Sequence, residues 1–177
     1  MHLSFEALEA GLNNLPPAPT DQGRVELVVV RTGIGTRDLP AKARLTSAGG
    51  LEGDRWGARN PTSTDDQITL MRGDVGRVIG NGQELALFGD NLVVELDLSE
   101  QNLPPGTRLR IGRALCEVTA KPHTGCAKYS ARFGPDALEV VNGPRFKAER
   151  FRGMYVRVLE EGEAGPGDPI QVLSRPA

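Results

Sequence analysis

Cysteine is scarce in this chain, with only Cys116 and Cys126 among 177 residues. Two thiols cannot build a disulfide scaffold, and they cannot hold an iron–sulfur cluster. Histidine is equally rare, present only as His2 and His123. The C-x₂₋₄-C and H-x₃₋₅-H spacings of structural zinc are absent, so that class of site is excluded. No stretch approaches the ~20 apolar residues of a membrane helix; the run Leu27-Val28-Val29-Val30 has the length of a strand. Positive charge is not in excess either. The net charge of −2 argues against a general nucleic-acid binder. The opening Met1-His2-Leu3-Ser4-Phe5-Glu6 lacks a basic segment followed by an apolar one. The expectation is a cytoplasmic protein without nucleic-acid or membrane partners.

Turn formers are abundant. The chain has 22 glycines and 13 prolines against 38% hydrophobic and 25% charged residues. That balance supports one globular domain of short strands joined by tight turns, a small barrel or sandwich. The length leaves no room for a separate cofactor-reducing domain.

Phe5, Leu8, Leu12 and Leu15 recur at helical spacing behind a candidate N-cap, Ser4. Pro16-Pro17-Ala18-Pro19 then stops the helix. Residues 1–23 therefore read as a helix and linker packed outside a domain over residues 24–177. Strands are expected over 24–31, 67–71, 91–96, 155–159 and 170–173. A hairpin is expected over 108–111 and 115–120, turning at Gly112-Arg113. Short helices are expected over 74–79 and 135–142, the latter with Pro135 in its first turn. Glu160, Glu161 and Glu163 read as a solvated turn.

The most informative stretch is Lys121-Pro122-His123-Thr124-Gly125-Cys126-Ala127-Lys128, followed by Arg132-Phe133-Gly134. Pro122 and Gly125 impose a loop, and Phe133 is expected to anchor it in the core. Lys121, His123, Lys128 and Arg132 lie close in sequence to Cys126. Cationic neighbours favour the thiolate, which is the form that attacks or binds metal. The bland alternative is a small buried hydrophobe, and Cys116, within a strand, fits that description. His123 reads equally as a proton donor, a cofactor contact or a loop-packing residue. Arg55 of Gly53-Asp54-Arg55 reads either as an anion contact or as the partner of a carboxylate such as Asp54. Gly89-Asp90-Asn91 reads chiefly as a turn entering a strand.

Five pieces together resemble a known family. They are Gly50-Leu51-Glu52-Gly53-Asp54-Arg55-Trp56; Gly89-Asp90-Asn91-Leu92; Leu103-Pro104-Pro105-Gly106 through Gly112; the cysteine loop; and Arg152-Gly153-Met154-Tyr155-Val156-Arg157-Val158 with Gly167-Asp168. Their order is similar to that of stand-alone MOSC domains, named after the C-terminal part of molybdenum cofactor sulfurase. The resemblance covers about residues 24–173. It implies a mainly β fold, a barrel of mixed strands with short peripheral helices. It also implies a cleft for the pterin molybdenum cofactor (molybdopterin) or a related sulfur species; pyridoxal phosphate enters only as a family-level association.

By resemblance, the family's signature cysteine is Cys126, a thiolate ligand to molybdenum in some relatives and a sulfur carrier in others. Cys126 and His123 are then the expected catalytic residues, with Cys126 also the metal ligand. Asp54, Arg55, Trp56, Asn91, Lys121, Thr124, Lys128 and Arg132 are the expected cofactor contacts. One position departs from part of the family, with Trp56 standing where some members carry histidine.

Three functions follow as expectations. The first is reduction of N-hydroxylated small molecules at a molybdenum cofactor, with electrons from a separate protein. The second is a sulfur carrier with a persulfide on Cys126, loaded by a separate sulfur-donor protein. The third is a non-catalytic cofactor-binding or adaptor domain.

Overall fold

The computed structural model describes residues 1–59 and 62–177. Helix α1 (Phe5–Asn13) leads into β1 (Gln22–Val28) and a hairpin of β2 (Val30–Arg31) and β3 (Arg37–Asp38). Next come β4 (Ala43–Thr46), β5 (Gly50–Leu51), α2 (Arg55–Arg59), β6 (Ile68–Arg72) and α3 (Gly73–Gly80). A 3₁₀ turn (Leu85–Phe88) precedes β7 (Leu92–Glu95), β8 (Arg108–Ile111) and β9 (Ala114–Val118). The chain ends with α4 (Ala127–Phe133), α5 (Pro135–Asn142), β10 (Met154–Glu160), β11 (Gly162–Ala164) and β12 (Pro169–Ser174).

Seven strands close into a barrel in the order β1-β12-β8-β9-β10-β6-β7, with β7 returning to β1. Among the described residues only the β6–β7 pair is parallel, with Leu70 opposite Leu92. A parallel pair needs a crossover rather than a tight hairpin, and α3 with the 3₁₀ turn supplies it. The expected hairpin β8–β9 forms with Ile111 opposite Ala114. Gly112 turns there at φ +54, where a Cβ would meet the Glu163 carbonyl oxygen at 2.6 Å.

Two apolar clusters follow from strand alternation. Leu70, Leu92, Val94, Leu109, Ile111, Val118 and Val156 point into the barrel. Met71 and Val93, each one residue out of phase, point the other way, under the helices. There they meet Leu8 and Leu12 of α1, Val75 and Ile79 of α3, Phe133 of α4, and Val140 and Val141 of α5. Both faces of β6 are therefore buried, which is why Ile68–Arg72 carries no exposed residue.

The helical reading of the first segment holds. Ser4 Oγ accepts from the Ala7 amide at 3.4 Å, and Leu8 and Leu12 are buried. Three local expectations change. First, β1 starts at Gln22, two residues before the anticipated boundary. Second, Glu163 belongs to β11, which pairs with β4, and Glu161 is tied to Arg44, so this segment is an ordered strand turn. Third, residues after Cys126 form α4 rather than loop. Gly134, at φ +95, closes α4 and opens α5, with Pro135 at the start of α5.

Phe133 is the hinge of the helical layer. Its ring stacks on Phe88 at 3.9 Å between centroids and meets Tyr129 edge-on at 5.1 Å. Phe133→Ala should cost about 3–5 kcal/mol of folding stability, measured by urea denaturation, and should leave the barrel's far-UV signature intact.

Candidate functional site

A cleft of about 840 Å³ opens where the β2–β3 hairpin, the start of α2, the Thr119–Cys126 loop and α4 converge. Its volume lies within the usual range for small-molecule sites. Of the residues expected from sequence, Arg55, Trp56, His123, Thr124, Cys126, Lys128 and Arg132 line it. Asp54, Asn91 and Lys121 do not.

Asp54 and Asn91 lie behind the wall. Asp54 Oδ2 accepts from the Arg31 amide at 2.8 Å and from Arg31 Nε at 2.9 Å. Asp54 Oδ1 accepts from Arg31 Nη2 at 2.8 Å and from the Trp56 amide at 2.9 Å. Asn91 Nδ2 donates to the same carboxylate at 3.0 Å, while Asn91 Oδ1 accepts from the Thr69 amide at 3.2 Å. Asp54 therefore pairs with Arg31, not with its neighbour Arg55. Burial pushes the Asp54 pKa up, but the Arg31 hydrogen bonds and charge outweigh it, and the net shift is downward. Asp54 and Asn91 thus hold the cleft wall in place and are not lining contacts.

The cationic surroundings of Cys126 also differ from the sequence expectation. Lys121 lies outside the lining, and its ammonium is paired with Asp66. His123 is nine-tenths buried, and burial pushes its pKa down to about 4. It is neutral near pH 7 and adds no positive charge to the cleft. The positive field comes instead from Arg37, Arg55, Lys128 and Arg132, which have no carboxylate partner among the described residues. Arg37 records their crowding. Burial first, then repulsion from Arg132, Arg31 and Arg55, lowers its pKa. Arg132 is oriented by donating from Nη1 to the Leu87 carbonyl at 2.7 Å. The lining carboxylates Asp66 and Asp90 are engaged by Lys121 and Arg152.

Cys126 is exposed, while Cys116 is buried inside the barrel with its thiol pKa pushed up to about 12 by burial. Cys126 precedes α4 in extended backbone, and its carbonyl accepts from the Tyr129 amide at 2.9 Å. Gly125 before it sits at φ +82, where a Cβ would lie 2.9 Å from Leu138 Cδ1 and 3.1 Å from Arg152 Nε. Only glycine lets the loop pass that closely. Asn142 Nδ2 donates to the Thr124 carbonyl at 2.7 Å and ties the loop to α5.

Arg31, Arg37, Asp90, Tyr129 and Arg152 line the cleft but were not singled out as site residues from sequence. Arg152 and Asp90 did carry part of the family resemblance, which was the available signal. Arg31 and Arg37 had none, because they reach the cleft only through pairing of two-residue strands.

The MOSC domain family model matches residues 70–171, spanning β6 to β12. This chain belongs to the MOSC domain family. The protein YflK of Bacillus subtilis (strain 168) is 34% identical over 90 residues, which are 51% of this chain and 38% of YflK. The aligned segment thus spans well under half of that relative. Among solved structures, YuaD of Bacillus subtilis superposes with TM-score 0.60 at 17% identity, over 88% of this chain and 97% of that one. YiiM of Escherichia coli superposes with TM-score 0.60 at 22% identity, over 87% of this chain and 71% of that one. At these identities the two structures share the fold. The MOSC assignment makes this a molybdenum-cofactor-sulfurase-like domain. No helix among the described residues is long and apolar enough to cross a membrane.

The Asp54 carboxylate gives a signed pH prediction. Its folded pKa is below the ordinary 3.8, so its contribution is present above that value and is lost as pH falls through the lower folded value. Asp54→Asn should therefore be clearly less stable than wild type at neutral pH. The gap should shrink progressively below pH 3.8 in urea titrations.

Proposed function

We propose that this MOSC domain binds a pterin molybdenum cofactor in the cleft, with Cys126 as a thiolate ligand, and reduces N-hydroxylated compounds. The observation that carries this reading is one exposed cysteine in a cleft whose arginines and lysine are largely unneutralised. Such a cleft favours an anionic ligand with a soft centre. Guanidinium forks suit the oxygens of an anionic group, and a thiolate suits a soft metal.

The donor set decides how a metal would be held. No group of three or more His, Cys, Asp or Glu able to hold a metal ion occurs among the described residues. A metal here must therefore arrive with most of its ligands already attached, as in a metal–pterin. Arg37, Arg55, Lys128 and Arg132 would hold the anionic groups of such a ligand, and Cys126 would complete its metal shell. Trp56 offers a flat apolar surface in the lining. The cofactor supplies two-electron oxygen-atom transfer, which protein side chains cannot. The balanced conversion is R–NH–OH + 2 e⁻ + 2 H⁺ → R–NH₂ + H₂O. The electrons must come from a separate donor protein, and the protons from the cleft or from water.

The accessibility of Cys126 also favours a second reading, a sulfur carrier loaded with a persulfide by a separate donor protein. No other described thiol is placed to reduce such a persulfide, because Cys116 is sealed in the barrel.

Elemental mass spectrometry separates the two readings. Protein from a host competent to make the cofactor should carry near-stoichiometric molybdenum, and Cys126→Ala should lose most of it. Absence of metal and pterin from wild type would overturn the cofactor reading. A gain of one sulfur atom on Cys126 without metal would then establish the carrier.

A further inference from the structure

The floor of the cleft holds a buried polar group that the proposed function does not use. Asp90 is almost fully buried. Its Oδ2 accepts from Arg152 Nη1 at 2.9 Å, while its Oδ1 has no hydrogen-bond partner among the described residues. His123 Nδ1 is likewise buried and unpartnered, and it faces that Oδ1 at 3.6 Å.

The surroundings keep these atoms together. Gly89 turns the chain at φ +76, and Asn91 is locked to Thr69 and Asp54, so Asp90 sits on an immobile backbone step. The His123 ring packs on Tyr155 at 4.5 Å between centroids. Gly153, at φ +111, passes so close that a Cβ would lie 3.0 Å from His123 Nδ1 and 2.5 Å from the Leu70 carbonyl oxygen. No side chain can intrude. Arg152 also stacks on the Tyr129 ring, 4.7 Å from its centroid, which holds the guanidinium over the same floor.

A carboxylate oxygen only accepts hydrogen bonds. A buried ring nitrogen facing it at 3.6 Å is stabilised when that nitrogen carries a hydrogen; otherwise two buried acceptors face each other. The Asp90 charge is already matched by Arg152, and burial keeps the imidazole neutral at pH 7. The other charged group acting on it, Arg31, also disfavours imidazolium. One ring proton remains to be placed, and the carboxylate selects Nδ1.

We infer that Asp90 is a positioning residue that holds His123 as its Nδ1–H tautomer, so that Nε2 meets the cleft as a hydrogen-bond acceptor for a ligand O–H or N–H. With Nδ1 sealed against Asp90, the ring reaches the cleft through the edge that carries Nε2. The cleft thereby combines cations for an anionic ligand with one neutral acceptor near Cys126. A ligand bearing a proton on oxygen or nitrogen satisfies that acceptor, whereas its alkylated analogue leaves it bare. The assignment holds whether the cleft performs reduction or sulfur transfer.

The test is ¹⁵N NMR of the full chain with labelled histidine at pH 7. Only His2 and His123 contribute, and His2→Gln assigns them. Wild-type His123 should show a protonated, pyrrole-type Nδ1 and a bare, pyridine-type Nε2. Asp90→Ala should lose that pattern, and Asp90→Glu should restore it in part. Cys126→Ala should leave it unchanged, which separates this inference from the cofactor reading. Benzaldoxime, with one O–H donor, should shift the Nε2 resonance and bind at least about tenfold more tightly than its O-methyl ether. A wild-type Nε2–H tautomer or imidazolium overturns the tautomer assignment even if Asp90→Ala does not fold. Equal shifts from oxime and ether, or none from either, overturn the acceptor role.

Discussion

One buried carboxylate joins three walls of the cleft. Asp54 takes hydrogen bonds from the backbone and guanidinium of Arg31, from the amide of Trp56 and from the side chain of Asn91. Those donors belong to the β2–β3 hairpin, to α2 and to the approach to β7. A buried charge is tolerated only when paired and fully hydrogen-bonded, and Asp54 meets that demand by drawing these elements together. The cleft exists because its wall is the solvation shell of this carboxylate.

Charge inside the cleft runs against charge outside it. The whole chain is net negative, yet the lining is dominated by arginine and lysine whose charge is not locally cancelled. Folding sorts the two signs. Acidic residues such as Glu95, Glu160 and Glu161 pair with arginines on the exterior. Such exposed pairs add little stability. The unpaired cations gather instead where repulsion among them already shows in Arg37. That repulsion, tolerated in a concave, partly desolvated site, supports the anionic ligand proposed for the cleft.

Much of the barrel was legible from local pattern. Strands such as Ile68–Arg72 and Arg108–Ile111 carry apolar residues dense enough to fill one or both faces, and Gly112 marks the turn that follows the second. The two-residue strands β3 and β5 were invisible, because a strand that short has no period to read. Helix α4 was hidden by Gly125 before it and Gly134 after it, two glycines that made the whole stretch resemble a loop. Cys126, Arg55, Lys128 and Arg132, singled out from sequence by their local chemistry, line the cleft. Asp54, Asn91 and Lys121, expected as cofactor contacts, lie behind or beside the cleft wall. Sequence neighbours of a cleft residue point to both of its sides.

By itself, the sequence determined the class of fold and the family, and it singled out Cys126, the thiol that is exposed in the cleft. Those depend on residue type, order and short-range spacing. Only the tertiary structure decided which charges reach that thiol. His123, three residues away, is stripped of charge by burial, and Lys121 is neutralised by Asp66. Arg37 and Arg55, far away in the chain, bring positive charge to the cleft lining in their place. The reason is physical: the charge state and reach of a side chain depend on its solvation and its partners, and barrel closure assigns both across long separations.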